Sequence, residues 1–217
     1  ENRNRRLEYL KPFLKEKSKV LEVGCSSGFM LYPLIESGHE CIGIEPSGVF
    51  SKHLLDYGIK IFEDIDDLLF ENSKYKFDLI IYFFVLEHIK DPVNFIRKQI
   101  NLLNKGGTLI FEIPNSADAL QSIYDIPAFE RFYWSVAHPW YFNEKSLKYL
   151  LDGLNLSYEL RGDQRYDLSN HMVWARDGKP GGMKRFTEKF GNELEQIYKK
   201  ELINSGFCDT LVAIIKN

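Results

Sequence analysis

The stretch VLEVGCSSGF, residues 20–29, sends an apolar, β-branched run carrying one acid, Glu22, into two glycines spaced G-x-x-x-G. Small polar residues, Cys25, Ser26 and Ser27, fill the gap between Gly24 and Gly28. A chain that leaves a strand through missing side chains is one that something must approach closely. By itself the spacing fits either a plain tight turn into a helix or a loop that meets a ligand. The surrounding sequence has to decide between them.

Working outward, residues 19–23 read as a strand and residues 28–37 as a helix ending at Gly38. A second strand over 40–45 stops at Glu45-Pro46-Ser47, a helix over about 48–57 leads to Gly58, and a third strand covers 59–62. FDLIIYFF (77–84) is almost wholly apolar, as a strand buried on both faces of a parallel sheet must be. An amphipathic helix over 92–104, closed by Lys105-Gly106-Gly107, precedes a fifth strand at 108–114. Upstream, residues 5–15 form an amphipathic helix interrupted by Pro12. Strand and helix alternating at these lengths predict an α/β, doubly wound sheet.

After Pro114 the pattern changes. Residues 115–142 are aromatic without a clean period, a helix follows at 143–152 and a strand at 155–161, and the last strand is TLVAIIK (210–216). The intervening 162–207, with a helix near 185–204 and the Gly/Pro/basic run GKPGGMKR (178–185), exceeds what a hairpin needs. Long insertions on a compact frame usually carry selectivity. The expectation is one domain over 1–217, with a cofactor-binding half (1–115) and a substrate-side half (116–217) containing this insert.

Composition narrows the partners. A net charge of −3 offers no general attraction to nucleic acid or anionic membrane. Cys25, Cys41 and Cys208 lie far apart without C-x-x-C spacing, reading as reduced thiols of a cytoplasmic protein rather than a disulfide frame or zinc site. No apolar run reaches the roughly 18 residues of a membrane span, and no signal-peptide pattern opens the chain. Oligomeric state is not legible.

In an open parallel sheet, ligands bind at the carboxyl ends of the strands beside the first strand, where Gly24 to Gly28 fall. Glu45, at the end of the second strand, is spaced to accept from ribose hydroxyls. A dinucleotide fingerprint wants glycine at Ser26, and Glu22 would repel a pyrophosphate while suiting an ammonium group. Adenosine joined to a cationic amine describes S-adenosylmethionine.

Five blocks then resemble the class I S-adenosylmethionine-dependent methyltransferases: EVGCSSG (22–28), GIEPS (43–47), FEDIDDL (62–68), FDLIIYFFVLEHIKDP (77–92) and LLNKGGTLIFEIPN (102–115). HPWYFNEKSLKYLLDGLNL (138–156) is similar to the superfamily's closing strand–helix unit, and 162–207 resembles small methyltransferases of bacterial polysaccharide and nucleotide-sugar pathways. The resemblance implies a Rossmann-like, three-layer, seven-stranded mixed sheet with the last strand antiparallel. It implies that Glu22, Gly24, Cys25 and Gly28 border the methionine moiety, that Ser26, which departs from the family's usual glycine, can still lie by the ligand, and that Glu45, with Pro46 beside it, serves the ribose. Asp64 and Ile65 then serve adenine, Phe83 and Phe84 border the methionyl group, and Arg6 pairs with the methionine carboxylate. Glu87 and His88 belong to the motif, either as ligand contacts or as braces for the next helix.

Methyl transfer to an aliphatic hydroxyl needs a base, and an amine needs only its free form. His138, His171 and Asp118 are the candidate bases or substrate contacts, His138 and His171 foremost. No carboxylate spacing identifies a metal site, so none is expected. The leading expectation is O-methylation of a sugar, nucleotide-sugar or surface-polysaccharide unit. N-methylation of a small amine or amino sugar is the rival, and a non-catalytic cofactor-binding protein is the different-class alternative. The low charge and the absence of a basic stripe argue against nucleic acid as partner.

Overall fold

The structure is a computed structural model that describes residues 2–217, so only Glu1 of the expected domain lies outside the described residues. In chain order the elements are helix α1 (Asn2–Leu10), strand β1 (Lys19–Val23), α2 (Leu31–Glu36), β2 (Glu40–Ile44), α3 (Gly48–Asp56), β3 (Lys60–Phe62), α4 (Ile65–Glu71), β4 (Phe77–Phe83), α5 (Pro92–Ile100) and β5 (Leu103–Pro114). Then come α6 (Ala119–Ser122), α7 (Pro127–Tyr133), α8 (Glu144–Asp152), β6 (Ser157–Asp163), α9 (Leu168–Asp177), α10 (Thr187–Phe190), α11 (Asn192–Asn204) and β7 (Thr210–Lys216). The strands form one seven-stranded sheet in the order β3-β2-β1-β4-β5-β7-β6, parallel except for β7, which runs antiparallel to both β5 and β6.

Alternating residues of the central strands feed two separate cores, which is why the fold has three layers. Leu21, Ile80, Tyr82, Leu109, Phe111 and Ala213 pack on one face with Leu68 of α4, Ile96 of α5 and Leu147 of α8. Val20, Leu79, Ile81, Ile110, Val212 and Ile214 pack on the other with Leu10 of α1 and Leu34 of α2. The nearly continuous apolar run of β4, interrupted only by Asp78, is thus a strand covered on both sides.

Several boundaries differ from expectation for physical reasons. The 92–104 helix ends at Ile100, and β5 begins at Leu103 rather than 108. Its Gly106-Gly107 turn is not a loop but pairs with the chain end, Gly106 N–H donating to Asn217 O and Asn217 N–H to Gly107 O, each at 3.1 Å. The helix expected over 185–204 is broken at Gly191, whose φ of 82° lies in the left-handed region. Helices α4, α6, α7 and α9 are additions to the sequence reading.

The amino-terminal helix is fixed by one acid. Glu112, fully buried on β5, accepts from Arg5 Nη2 (2.8 Å) and Tyr9 OH (2.6 Å) on Oε1, and from Arg6 Nε (3.0 Å) and Nη2 (2.7 Å) on Oε2. Arg5 also pairs with Asp163 at the end of β6. Removing a buried carboxylate that compensates two guanidinium groups costs about 3–5 kcal/mol. Glu112→Ala should therefore lower stability by that order and speed hydrogen exchange in α1. Urea unfolding with peptide-resolved exchange measures both, and unchanged protection of α1 would show that the helix docks by its apolar face alone.

Candidate active site

The glycine loop at the end of β1 is shaped by two close approaches. Gly24 has φ +70°, and a Cβ there would stand 2.7 Å from Val85 Cγ2 in the turn after β4. Gly28 has φ +80°, and its Cβ would meet Leu54 Cδ2 of α3 at 2.6 Å. Gly24 therefore admits the β4 turn, and Gly28 admits a neighbouring helix rather than a ligand. Between them Ser26 takes φ +48°, a left-handed conformation that costs a side-chain-bearing residue roughly 1–2 kcal/mol.

Glu45 offsets that cost. Its Oε2 accepts the Ser26 N–H at 2.7 Å and its Oε1 the Ser47 N–H at 2.8 Å, so one carboxylate clasps the loops after β1 and β2. Glu45, expected only as a ribose contact, is thus also buried and braces the backbone. Phe84, the residue after β4, is also left-handed at φ 59° and is held by its N–H on Glu112 O at 2.9 Å.

These loops surround a cavity of about 660 Å³ lined by Gly24, Ser26, Glu45, Pro46, Asp64, Ile65, Phe83 and Phe84, eight of the twelve expected cofactor residues. Asp64 is at the same time the N-cap of α4, its Oδ1 accepting from Asp67 N–H at 2.8 Å. Val85, His88, Ile89, Phe95 and Lys98, from the turn and helix after β4, also line it. The other four expected residues stand behind it. Cys25 is buried among Leu31, Leu54 and Ile59, where burial raises its thiol pKa far above the ordinary value. Gly28 packs on α3. Arg6, expected at a methionine carboxylate, is instead bonded to Glu112 and lies 4.0 Å over the Phe83 ring. Glu22 is buried with Oε2 lacking any partner, and burial, opposed by Arg6, pushes its pKa up to about 8.

A second cavity of about 200 Å³ is lined by Asp118, Phe129, Phe132, Tyr133, Ser135, His138, Arg165, Tyr166 and Asp209. Burial raises the Asp118 carboxyl to about 7, while Leu120 N–H donates to its Oδ1 at 2.8 Å. Arg165 is anchored through Nε to Asp209 Oδ1 (2.9 Å) and stacks 4.3 Å from the centre of the Phe84 ring. It joins the insert side of the molecule to the first cavity. His138 lies on this wall with its ring 4.5 Å from that of His88, and burial, then His88, lowers its pKa.

His171 does not join them. It is fully buried in α9, Nδ1 lying 2.6 Å from Tyr198 OH and Nε2 3.4 Å from Gln164 Nε2, and it lines neither cavity. The expectation that it faces substrate is corrected: it is part of the polar core of the insert.

A family described as a methyltransferase domain matches residues 1–160. The chain belongs to the class I S-adenosylmethionine-dependent methyltransferases. A tRNA U34 carboxymethyltransferase of Campylobacter fetus is 32% identical over 111 residues, covering 48% of this chain and 39% of that protein. A ubiquinone biosynthesis O-methyltransferase of Stutzerimonas stutzeri is 29% identical over 103 residues, covering 45% and 44%. The chain thus spans less than half the length of these curated relatives. An Archaeoglobus fulgidus SAM-dependent methyltransferase superposes with TM-score 0.66 at 17% identity over 98% of this chain and 92% of that one, a likeness of fold. The first relative is named for tRNA, so the exclusion of nucleic acid gains no support from these relatives. Among the described residues no helix is long and apolar enough to cross a membrane.

The residues present fit the family's cofactor. The cavity is of ligand size, largely apolar and edged by Glu45 and Asp64. The Glu22 Oε2 behind the glycine loop lacks a hydrogen-bond partner, a buried polar atom whose need a ligand's amine would meet.

The burial of His171 has a measurable consequence. Its pKa falls from 6.5 to about 4 because burial disfavours the charged ring, with Asp209 and Asp167 opposing and Lys199 adding. Between these values the unfolded chain binds the extra proton, so this contribution is complete above pH 6.5 and is lost as pH falls toward 4. Asp118 and Glu22, with raised pKa values, act in the opposite sense, so the wild type alone cannot isolate it. The stability gap between wild type and His171→Asn should narrow by about 2 kcal/mol from pH 7.5 to pH 5. A gap independent of pH in denaturant titrations would mean that the ring is not sealed.

Proposed function

We propose that the protein methylates a hydroxyl of a small acceptor, with a sugar, nucleotide-sugar or surface-polysaccharide unit as the leading class. The observation that carries this reading is the second cavity, with aromatic walls and a buried acid near neutrality, joined to the first through Arg165 and Phe84. A polyhydroxylated ring needs this mixture. Its C–H face packs on Phe129, Phe132, Tyr133 or Tyr166, while its hydroxyls find Asp118, Ser135 and Arg165.

S-adenosylmethionine supplies a methyl group already activated on a sulfonium, so the protein's task is positioning and removal of a proton. In this reading Glu45 adds ribose hydroxyls to the two backbone amides it holds, and Asp64 and Ile65 meet the adenine. Phe83 and Phe84 exclude water around the methionyl end, and the unpartnered Glu22 Oε2 accepts from its amine. Asp118, with its pKa near 7, takes the proton from the acceptor hydroxyl as the new oxygen–carbon bond forms. His138, on the same wall, orients that hydroxyl.

Two outcomes are expected. Glu45→Ala weakens S-adenosylhomocysteine binding by roughly 2–4 kcal/mol, since charge-assisted bonds are worth about 1.5–3 kcal/mol each. Calorimetry measures this, and unchanged affinity would move the ribose elsewhere. Asp118→Asn keeps S-adenosylhomocysteine affinity but lowers turnover by about 10²-fold or more, within the usual range for a general base. The substrate is sought with labelled S-adenosylmethionine against nucleotide sugars, polyols, amines and tRNA. Labelling of amines alone would replace the reading by N-methylation, and labelling of tRNA alone would replace the small acceptor.

A further inference from the structure

Glu87, His88 and His138 each offer a ligand atom, and the three atoms lie within 4.8 Å of one another. Two of the three come from the turn after β4 and the third from the segment after α7, so chain spacing gives no hint of the set. The carboxylate is buried at 3% exposure, and its Oε2 has no hydrogen-bond partner. Bracing the next helix does not account for it, because the N-cap of α5 is Asp91, whose side chain accepts from Asn94 N–H. His88 Nδ1 lies 3.0 Å from Ala137 O, and a carbonyl only accepts, so Nδ1 carries the proton. That leaves the Nε2 lone pair free, the arrangement in which a backbone carbonyl orients a metal-binding imidazole. The His138 segment is fixed as well, Trp140 Nε1 donating to Lys90 O at 3.2 Å and His138 N–H to Ser135 O at 3.1 Å.

We propose that Glu87, His88 and His138 bind one divalent transition-metal ion of the zinc class at the junction of the two cavities. Two imidazoles and one carboxylate suit such an ion, whereas magnesium and calcium favour all-oxygen sets. Metal–ligand bonds of about 2.0–2.2 Å require the three atoms to close to about 3.3 Å, a movement within the reach of side-chain rotation. His88 lines the first cavity and His138 the second, so the open coordination positions face the place where donor and acceptor meet. On the methyltransferase reading above, a cation there polarises the acceptor hydroxyl and eases transfer of its proton to Asp118. The hydroxyl oxygen then bonds to the methyl carbon as the carbon–sulfur bond breaks, the bonding pair going to sulfur.

The test uses the chelator-treated full chain without cofactor, titrated with Zn²⁺ against a chromophoric competitor, and separately with S-adenosylhomocysteine. One Zn²⁺ per chain is expected. Glu87→Gln, His88→Gln and His138→Gln should each weaken it at least about 10-fold, the lower end of what outer partners alone contribute. His53→Gln, at an exposed histidine outside both cavities, should not. Binding of Zn²⁺ no tighter than about 1 mM, or unaltered in the three variants, overturns the proposal. S-adenosylhomocysteine binding in the same samples reports on the methyltransferase reading independently. Should the variants not fold, Co²⁺ on the wild type decides. Weak visible bands alone support the nitrogen and oxygen set, and an intense near-ultraviolet thiolate band would put the ion on a cysteine and overturn it.

Discussion

Four hydrogen bonds onto one carboxylate, Glu112, hold the amino-terminal helix on the fifth strand. Two guanidinium groups and one carboxylate would leave an excess positive charge in a buried place, and Asp163 of β6, paired with Arg5, balances it. The helix at the amino terminus, the fifth strand and the strand that leads into the insert are thereby tied at one point. The backbone of the same residue accepts from Phe84, which holds the left-handed turn at the end of β4. Arg6, held by Glu112, then lies flat on Phe83. The wall of the cofactor cavity therefore depends on an acid that does not itself line it.

This dependence explains what was legible in the sequence and what was not. The βα alternation, the strand covered on both faces and the glycine loop are local signals, read from apolar runs and spacing, and residues such as Gly24, Glu45 and Phe84 fall where those signals put them. Arg6 and Gly28 were legible as important but not in their roles. The partner of Arg6 is 106 residues away, and the neighbour of Gly28 is a leucine on another helix. Glu45 carries a bracing role that no spacing rule contains, because its two backbone donors become neighbours only when the first two strands pair.

Helix α9 was missed for a different reason. Its buried face mixes Val173 and Trp174 with three covered polar residues: Ser169 Oγ donates to Glu195, Asn170 Nδ2 to Gly181 O, and His171 Nδ1 meets Tyr198 OH, while Asn170 Oδ1 stays unpartnered. Its first turn is capped by Asp167, which also accepts from Lys184 N–H at 2.6 Å. A search for apolar periodicity reads such a segment as loop. Once satisfied, buried polar groups define a core as specifically as apolar ones, since each partner lost leaves a donor or acceptor stranded.

That polar core is what the insert contributes to the active site. Asp209 accepts from Arg165 Nε and from the backbone N–H groups of Arg165 and Tyr166, each at 2.9 Å, so the segment entering the insert is pinned to the segment leaving it. Pinned there, Arg165 reaches across to Phe84, and Arg165, Tyr166 and Asp209 close the second cavity opposite Phe129, Phe132 and His138. The sheet fixes where the cofactor cavity lies, and the hydrogen-bonded insert fixes the shape of the space beside it. Substitutions within the insert can therefore reshape the second cavity without touching the clasp that Glu45 makes on the glycine loop.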